Sequence, residues 1–415
     1  MVIMNKRVVI TGIGVISSIG KGREDYWNAL RHGQTGYRPI TFFDVSEYPV
    51  KNACEITDFD PKIYMGPKGL RTLDRSITLV VSAAKLAIQD SAFTITPENT
   101  DDVGVVIGTT LGSVKSIADF DAVTLREGPR AVNPALFPNT VINSPASQIS
   151  IWHKIAGFNT TLSTGFCASM DALQYAYDFI QWDRAHMIYA GGVEEFCLPT
   201  YLGFNAIKYL SGSKEGQEFI NCPFDSRRNG ITLGEGACVI AVEEYEHAKA
   251  RGARILAEIL GFGYSFDPFK IHKFNPRGTG MKEAMSYALQ ENGLTPKDID
   301  FICANANSTQ AADKIETEAI KEVFGEEAHK IPIGAVKSMV GECYSVTAAF
   351  NVAAAVGAIH EGFLFPTVNY REKDPNCDLD YVPNKARKAK LNHVMVNSFG
   401  PNGNNNCMVL KRFEA

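Results

Sequence analysis

Cys167 is the residue of this chain best placed to act as a nucleophile. It lies in Thr160-Thr-Leu-Ser-Thr-Gly-Phe-Cys-Ala-Ser-Met-Asp171, where a strand-like stretch runs into an alanine- and leucine-bearing helix pattern. Unpaired backbone N–H groups at such a junction point at the side chain and favour a thiolate, so the spacing predicts a lowered thiol pKa. The competing reading of any single cysteine is a small, inert core residue. The other eight cysteines, at 54, 197, 222, 238, 303, 343, 377 and 407, are scattered without a CxxC pair, and no metal-ligand spacing emerges. Asp225, Arg228 and Glu235 read as partners in a buried charge network that holds a loop, not as catalytic groups. Gly12-x-Gly14 resembles the start of a dinucleotide fingerprint, but the third glycine and the acidic residue about 20 positions on are not in place, and that reading is rejected.

The elements that must position Cys167 alternate along the chain. Arg7–Ser18 is a β-branched run ending in glycine turns, and similar apolar runs recur at 103–108, 186–192, 237–242, 255–261, 301–304 and 394–399. Helical patterns, such as 76–89 and 280–291, lie between them, so the class is α/β. The chain reads as two halves of one plan, 1–250 and 251–415. Its clearest internal echo is Gly165-Phe-Cys-Ala-Ser-Met-Asp171 against Gly341-Glu-Cys-Tyr-Ser345, each leading a helix. The aromatic stretch Phe262–Phe274 is expected to pack between the halves or against an acyl chain, not to stack nucleic-acid bases.

Composition excludes several classes. With 415 residues, a net charge of −5 and no run of five like charges, the chain lacks the footprint of a nucleic-acid binder. The most apolar helical run, 348–359, is too short to span a bilayer. Met1 leads directly into a strand-like segment without a signal-peptide pattern, and the unpaired cysteines point to a reduced, cytoplasmic setting.

The flanking motifs carry a resemblance over nearly the whole chain. Cys222-Pro-Phe-Asp-Ser-Arg-Arg-Asn-Gly-Ile-Thr-Leu-Gly-Glu-Gly-Ala237 is similar to the Pro-Phe-Asp…Arg…Gly-Glu-Gly-Ala signature of the β-ketoacyl-[acyl-carrier-protein] synthases. Phe137-Pro-Asn-Thr140, Lys337-Ser-Met339, Pro366-Thr-Val-Asn369 and Asn397-Ser-Phe-Gly400 fall in the same order. The resemblance implies a thiolase fold, five-layered αβαβα from two duplicated halves, in a two-fold dimer. It implies no tightly bound cofactor. An acyl carrier protein delivers the acyl group on its phosphopantetheine arm to Cys167, and decarboxylation of a malonyl unit drives condensation. The N–H groups of Cys167 and Phe399 match the family's oxyanion pair.

The sequence departs from condensing members at the two histidines that stabilise the enolate. Their motifs read Asn305-Ala-Asn307-Ser-Thr309 and Lys337-Ser-Met-Val-Gly-Glu342, and all eight histidines lie elsewhere. Asn307 retains N–H donors, whereas an ionised Glu342 has none. Loss of one oxyanion donor costs about 3–4 kcal/mol. An anion near a forming enolate adds roughly 4 kcal/mol at an effective dielectric of about 20. Protonation of Glu342, or neutralisation by Lys337, would lift that repulsion.

Two further departures follow. The loop from Asn307 to Asp313 is short, and Phe399-Gly-Pro401-Asn402 replaces a glycine-rich gate, so weaker gating is expected. Asn307, Glu342 and the short loop together resemble chain-length-factor subunits of type II polyketide systems, which pair with an active ketosynthase. The site set implied is Cys167, Asn307, Lys337, Glu342 and Phe399. The partners implied are acyl carrier protein and a ketosynthase subunit in a heterodimer, or a second copy in a homodimer. The alternative is a self-sufficient acyltransferase using Cys167 and Asn307.

Overall fold

The computed structural model describes residues 6–414, so the expectation made at Met1 lies outside the described residues. Ten strands carry the architecture. In the first half these are β1 (Val8–Ser17), β2 (Val103–Gly108), β3 (Asn159–Leu162), β4 (Met187–Glu194) and β5 (Gly236–Glu244). In the second they are β6 (Ala257–Phe266), β7 (Phe301–Cys303), β8 (Ile333–Gly334), β9 (His393–Phe399) and β10 (Asn404–Lys411). They hydrogen-bond in the order β8-β7-β9-β10-β6-β1-β5-β4-β2-β3.

The duplication is explicit in this order. Outward from the seam, β1-β5-β4 are antiparallel neighbours and β4-β2-β3 are parallel. The second half repeats the pattern as β6-β10-β9 antiparallel and β9-β7-β8 parallel. The halves meet where Val8–Ile10 of β1 pairs with Ala257–Ile259 of β6.

Helices complete five layers. Helix α1 (Arg75–Ser91) covers the outer face of β1 and β5, and α3 (Thr279–Glu291) covers β6 and β10, with α4 (Gln310–Phe324) beside it. Between the two sheet layers lie α2 (Ala168–Gln181) and α5 (Val346–Glu361), which pack on each other. This is the thiolase arrangement expected from the resemblance. The two echoed motifs lead the two central helices, each following the third strand of its half. The apolar run at 348–359 is apolar all round because α5 is buried from Val346 to Ile359 between the sheets. Among the described residues no helix is long and apolar enough to cross a membrane.

Gly12 and Gly14 also find their reason here. A Cβ at Gly12 would meet the backbone N of Ser91 at 2.5 Å, and one at Gly14 the carbonyl of Ala83 at 1.9 Å. They allow α1 to lie directly on β1, which is a packing role. Strand β10 escaped the sequence reading because Asn404-Asn-Asn406 reads as loop. Its amides are bonded internally, to Thr164, Gly403 and Asp171, and its apolar residues are buried. In the aromatic stretch, Phe262 packs on Tyr177, while Tyr264, Phe266 and Phe269 are exposed. Tyr264 helps line an open cleft of about 760 Å³ with Leu260 and Tyr287.

Candidate active site

The nucleophile position is built by the turn from β3 into α2. Cys167 caps the N-terminus of α2 and is completely buried. Its Sγ–H donates to the carbonyls of Ser398 (3.2 Å) and Asn404 (3.3 Å). Burial, and after it the neighbouring Asp171, pushes the thiol well above the ordinary cysteine range, with Lys337 working against them. The sequence expectation of a lowered pKa is therefore corrected. The helix start is where it was placed, but desolvation outweighs the helix N-terminus. Asp171 is itself pushed up by burial. It accepts bonds from Thr164 and from Asn406 Nδ2, the latter at 2.8 Å.

The turn after β9 closes over the thiol. Gly400 N–H donates to Asn404 O at 2.8 Å, and the side-chain amides of Asn402 and Asn404 both donate to Thr164 O, at 3.0 and 2.9 Å. The turn is tied to the approach to Cys167 by side chains that glycines would lack.

A second set of residues forms one chain of bonds. Phe399, 1% exposed, donates its N–H to Asn305 Oδ1 at 3.1 Å. The same oxygen accepts from Lys337 Nζ at 3.2 Å, and Lys337 Nζ reaches Glu342 Oε2 at 2.8 Å. Glu342 Oε1 accepts from Thr347 Oγ1 at 3.2 Å. Lys337 opens a single helical turn that ends at Gly341, with φ +76°, and this reversal brings Glu342 back against the lysine. The backbone of Glu342 is fixed by Thr232 O at 2.7 Å and Gly234 N at 3.0 Å, just before the Gly-Glu-Gly-Ala stretch and at its start. The matched oxyanion pair needs a correction, because the Phe399 N–H is already engaged by Asn305. Asn305 stands in a quoted motif without a role assigned from sequence; the pairing of β7 with β9 is what brings it to Phe399.

Asn307 stands apart from that chain. Its Oδ1 accepts from Thr309 N (3.2 Å) and Oγ1 (2.8 Å), and its backbone N–H donates to Asp313 at 2.9 Å. Thr309 caps α4, so the short loop brings the helix start to within three residues of Asn307. The amide of Asn307 keeps its N–H groups as donors. Arg228 supports this loop, donating to the carbonyls of Thr309 (3.2 Å) and Gln310 (3.1 Å) and pairing with Asp374 at 2.6 Å. Asp225 is bound by Arg227, and Glu235 by Arg75 and the backbone of Ile56. The expected supporting network is this set of contacts. Glu316 holds the other side, accepting from the N–H groups of Asn305 and Ala306 at 2.8 Å each. Burial pushes it up to about 7.

A cysteine at a helix start, under a hydrogen-bonded turn, stands where a nucleophile would take an acyl group, while burial holds it in the thiol form. The models of the β-ketoacyl synthase N-terminal domain and C-terminal domain match residues 5–248 and 256–371.

The chain belongs to the β-ketoacyl synthase family.

It is 38% identical to 3-oxoacyl-[acyl-carrier-protein] synthase 2 of Coxiella burnetii, over 98% of this chain and 99% of that one. Among solved structures it resembles the ishigamide ketosynthase/chain length factor, at 35% identity and a TM-score of 0.91, covering 99% of this chain and 100% of that one. It also resembles a type II polyketide acyl-carrier protein in complex with its ketosynthase bound to the hexaketide, at 27% identity and a TM-score of 0.90, with 99% and 100% covered. In this chain Glu342, which the resemblance sets at a histidine position of condensing members, is salt-bridged to Lys337.

Proposed function

We propose that this β-ketoacyl synthase acts in carrier-protein-dependent chain elongation as a chain-length-factor-type partner of an active ketosynthase. It contributes interface and pocket wall and does not decarboxylate a malonyl unit by itself. The observation that carries this reading is the buried Lys337–Glu342 pair at 2.8 Å. A carboxylate cannot donate to the thioester oxygen as charge develops there, and its partner lysine is held by it and by Asn305. The engagement of the Phe399 N–H by Asn305 supports the same reading, since an oxyanion donor already in a hydrogen bond is not free for the intermediate.

Exposed apolar residues and an open sheet edge support the partner reading. The segment 114–142 exposes Leu125, Leu136, Phe137, Val141 and Ile142, and β3 beyond it lies at the end of the sheet order with one edge unpaired. The resemblance to the ishigamide ketosynthase/chain length factor is in keeping with a pairing of two such chains.

Reconstitution tests the proposal. The purified chain is given acyl- and malonyl-carrier protein, alone and with a histidine-bearing synthase. Elongated product that requires both proteins supports the partner role. Elongation by this chain alone ends it.

A further inference from the structure

Two residues beyond Glu342 the backbone is held in the left-handed region, with Tyr344 at φ +48°. A tyrosine adopts that conformation only where its surroundings fix it. The ring is 1% exposed. It stands edge-on to Phe166 with centroids 5.6 Å apart, and 5.3 Å from the ring of Phe204. Phe166 immediately precedes Cys167, and Tyr344, Phe204 and Leu111 belong with it to one apolar cluster.

The hydroxyl of Tyr344 differs from those of the other fully buried tyrosines. Tyr26, Tyr201 and Tyr381 are equally buried, and their hydroxyls reach Phe350 O, Val50 O and Thr317 Oγ1. Tyr189 bonds Ser91. The Tyr344 hydroxyl has no partner among the described residues. Nearby, Glu194 takes the Ser345 hydroxyl on Oε1 at 2.7 Å and leaves Oε2 without a partner. Burial, then Glu194 and Glu342, hold the Tyr344 hydroxyl protonated, so it is a donor. Buried hydroxyls are almost always bonded, so an orphan on a ring packed against the residue before the nucleophile calls for an explanation, and a ligand oxygen would supply one.

We propose that Tyr344 selects the acyl group carried on Cys167, its hydroxyl donating to an oxygen on the chain, so that oxygen-bearing acyl groups are taken over saturated ones of equal length. This rests on the reading of the protein as one that handles carrier-borne acyl groups. A saturated chain laid along Phe166 leaves the hydroxyl unbonded, whereas a ketone or hydroxyl on the chain satisfies it, and a site of that kind rejects the analogue lacking the oxygen. Loading forms the bond from Cys167 Sγ to the acyl carbon and breaks the bond from the pantetheine sulfur to that carbon. The Cys167 proton passes to the departing pantetheine thiolate, so no co-reactant is needed.

The test charges carrier protein with octanoyl and with 3-, 5- and 7-hydroxyoctanoyl groups and reads the rate of Cys167 acylation by intact mass. At least one hydroxyacyl group is expected to load about tenfold faster than octanoyl, the worth of one buried hydrogen bond. Tyr344→Phe, which keeps the ring, is expected to bring the ratio near one. Tyr201→Phe, whose hydroxyl is bonded to Val50, is expected to leave the ratio unchanged. A wild-type ratio near one, or a preference that survives in Tyr344→Phe, overturns the proposal. So does the absence of any adduct, and reconstitution with the histidine-bearing synthase then judges the partner reading separately: stimulation that persists leaves it standing, and its absence ends it too.

Discussion

The Nζ of Lys337 lies 2.8 Å from Oε2 of Glu342, and both side chains are almost fully buried. Such a pair sets the chemistry of the site more than it stabilises the fold, because removing two charges from water offsets most of their attraction. Breaking it is a different matter, since one charge then stays buried alone.

Glu342→Gln therefore leaves Lys337 without its counter-charge and is expected to cost about 3–5 kcal/mol in urea denaturation. The paired replacement Lys337→Met with Glu342→Leu is expected to cost much less. A single-variant loss under about 1 kcal/mol, the level of an exposed pair such as Lys115–Asp119, would mean that the charges are not locked together in solution.

The thiol at Cys167 gives a second expectation. With its pKa held well above the ordinary range, the thiolate fraction at neutral pH is very small. Alkylation of Cys167 by iodoacetamide, read by peptide mass spectrometry, is expected to be slower than that of free cysteine at pH 7. It is also expected to keep climbing beyond pH 9. A plateau between pH 6 and 8 would contradict the buried thiol.

Legibility differed between these two features. The strand-to-helix placement of Cys167 was readable because threonine-rich and alanine-rich stretches meet there. Its pKa was not, because burial sets it, and the segment that covers the thiol, with the carbonyls of Ser398 and Asn404, comes from more than 200 residues away. The duplicated halves were visible in the paired motifs at 165–171 and 341–345, whereas β10 was hidden by asparagines whose amides are satisfied only in the folded state. Glu342 was legible as a departure, and neutralisation by Lys337 as one option. The structure adds the turn at Gly341 that makes the pair, and Asn305, which joins it to Phe399. A local pattern carries no information about a hydrogen bond between strands β7 and β9, so the role of Asn305 had to come from the fold.

Glu194 supplies a pH dependence. It is buried, Oε2 has no partner, and burial raises it from 4.5 to about 7. Between those values the folded state binds the proton that the unfolded state has lost, so its contribution to stability is present below about pH 4.5 and falls as pH rises towards 7. Glu194→Gln imitates the protonated form. It is expected to flatten the decline in unfolding free energy over this window by on the order of 3 kcal/mol. A variant whose pH profile parallels the wild type would show that Glu194 titrates normally.

Glu342 in place of a histidine is proposed to remove decarboxylation from this chain. Release of carbon dioxide from malonyl-carrier protein, measured for the protein alone and for Glu342→His, tests it most directly. Background release by the wild type and at least tenfold more from the variant are expected, since one restored donor is worth about 3–4 kcal/mol and placement costs part of it. Wild-type release at the rate of a histidine-bearing synthase, unaltered in Glu342→His, would contradict it.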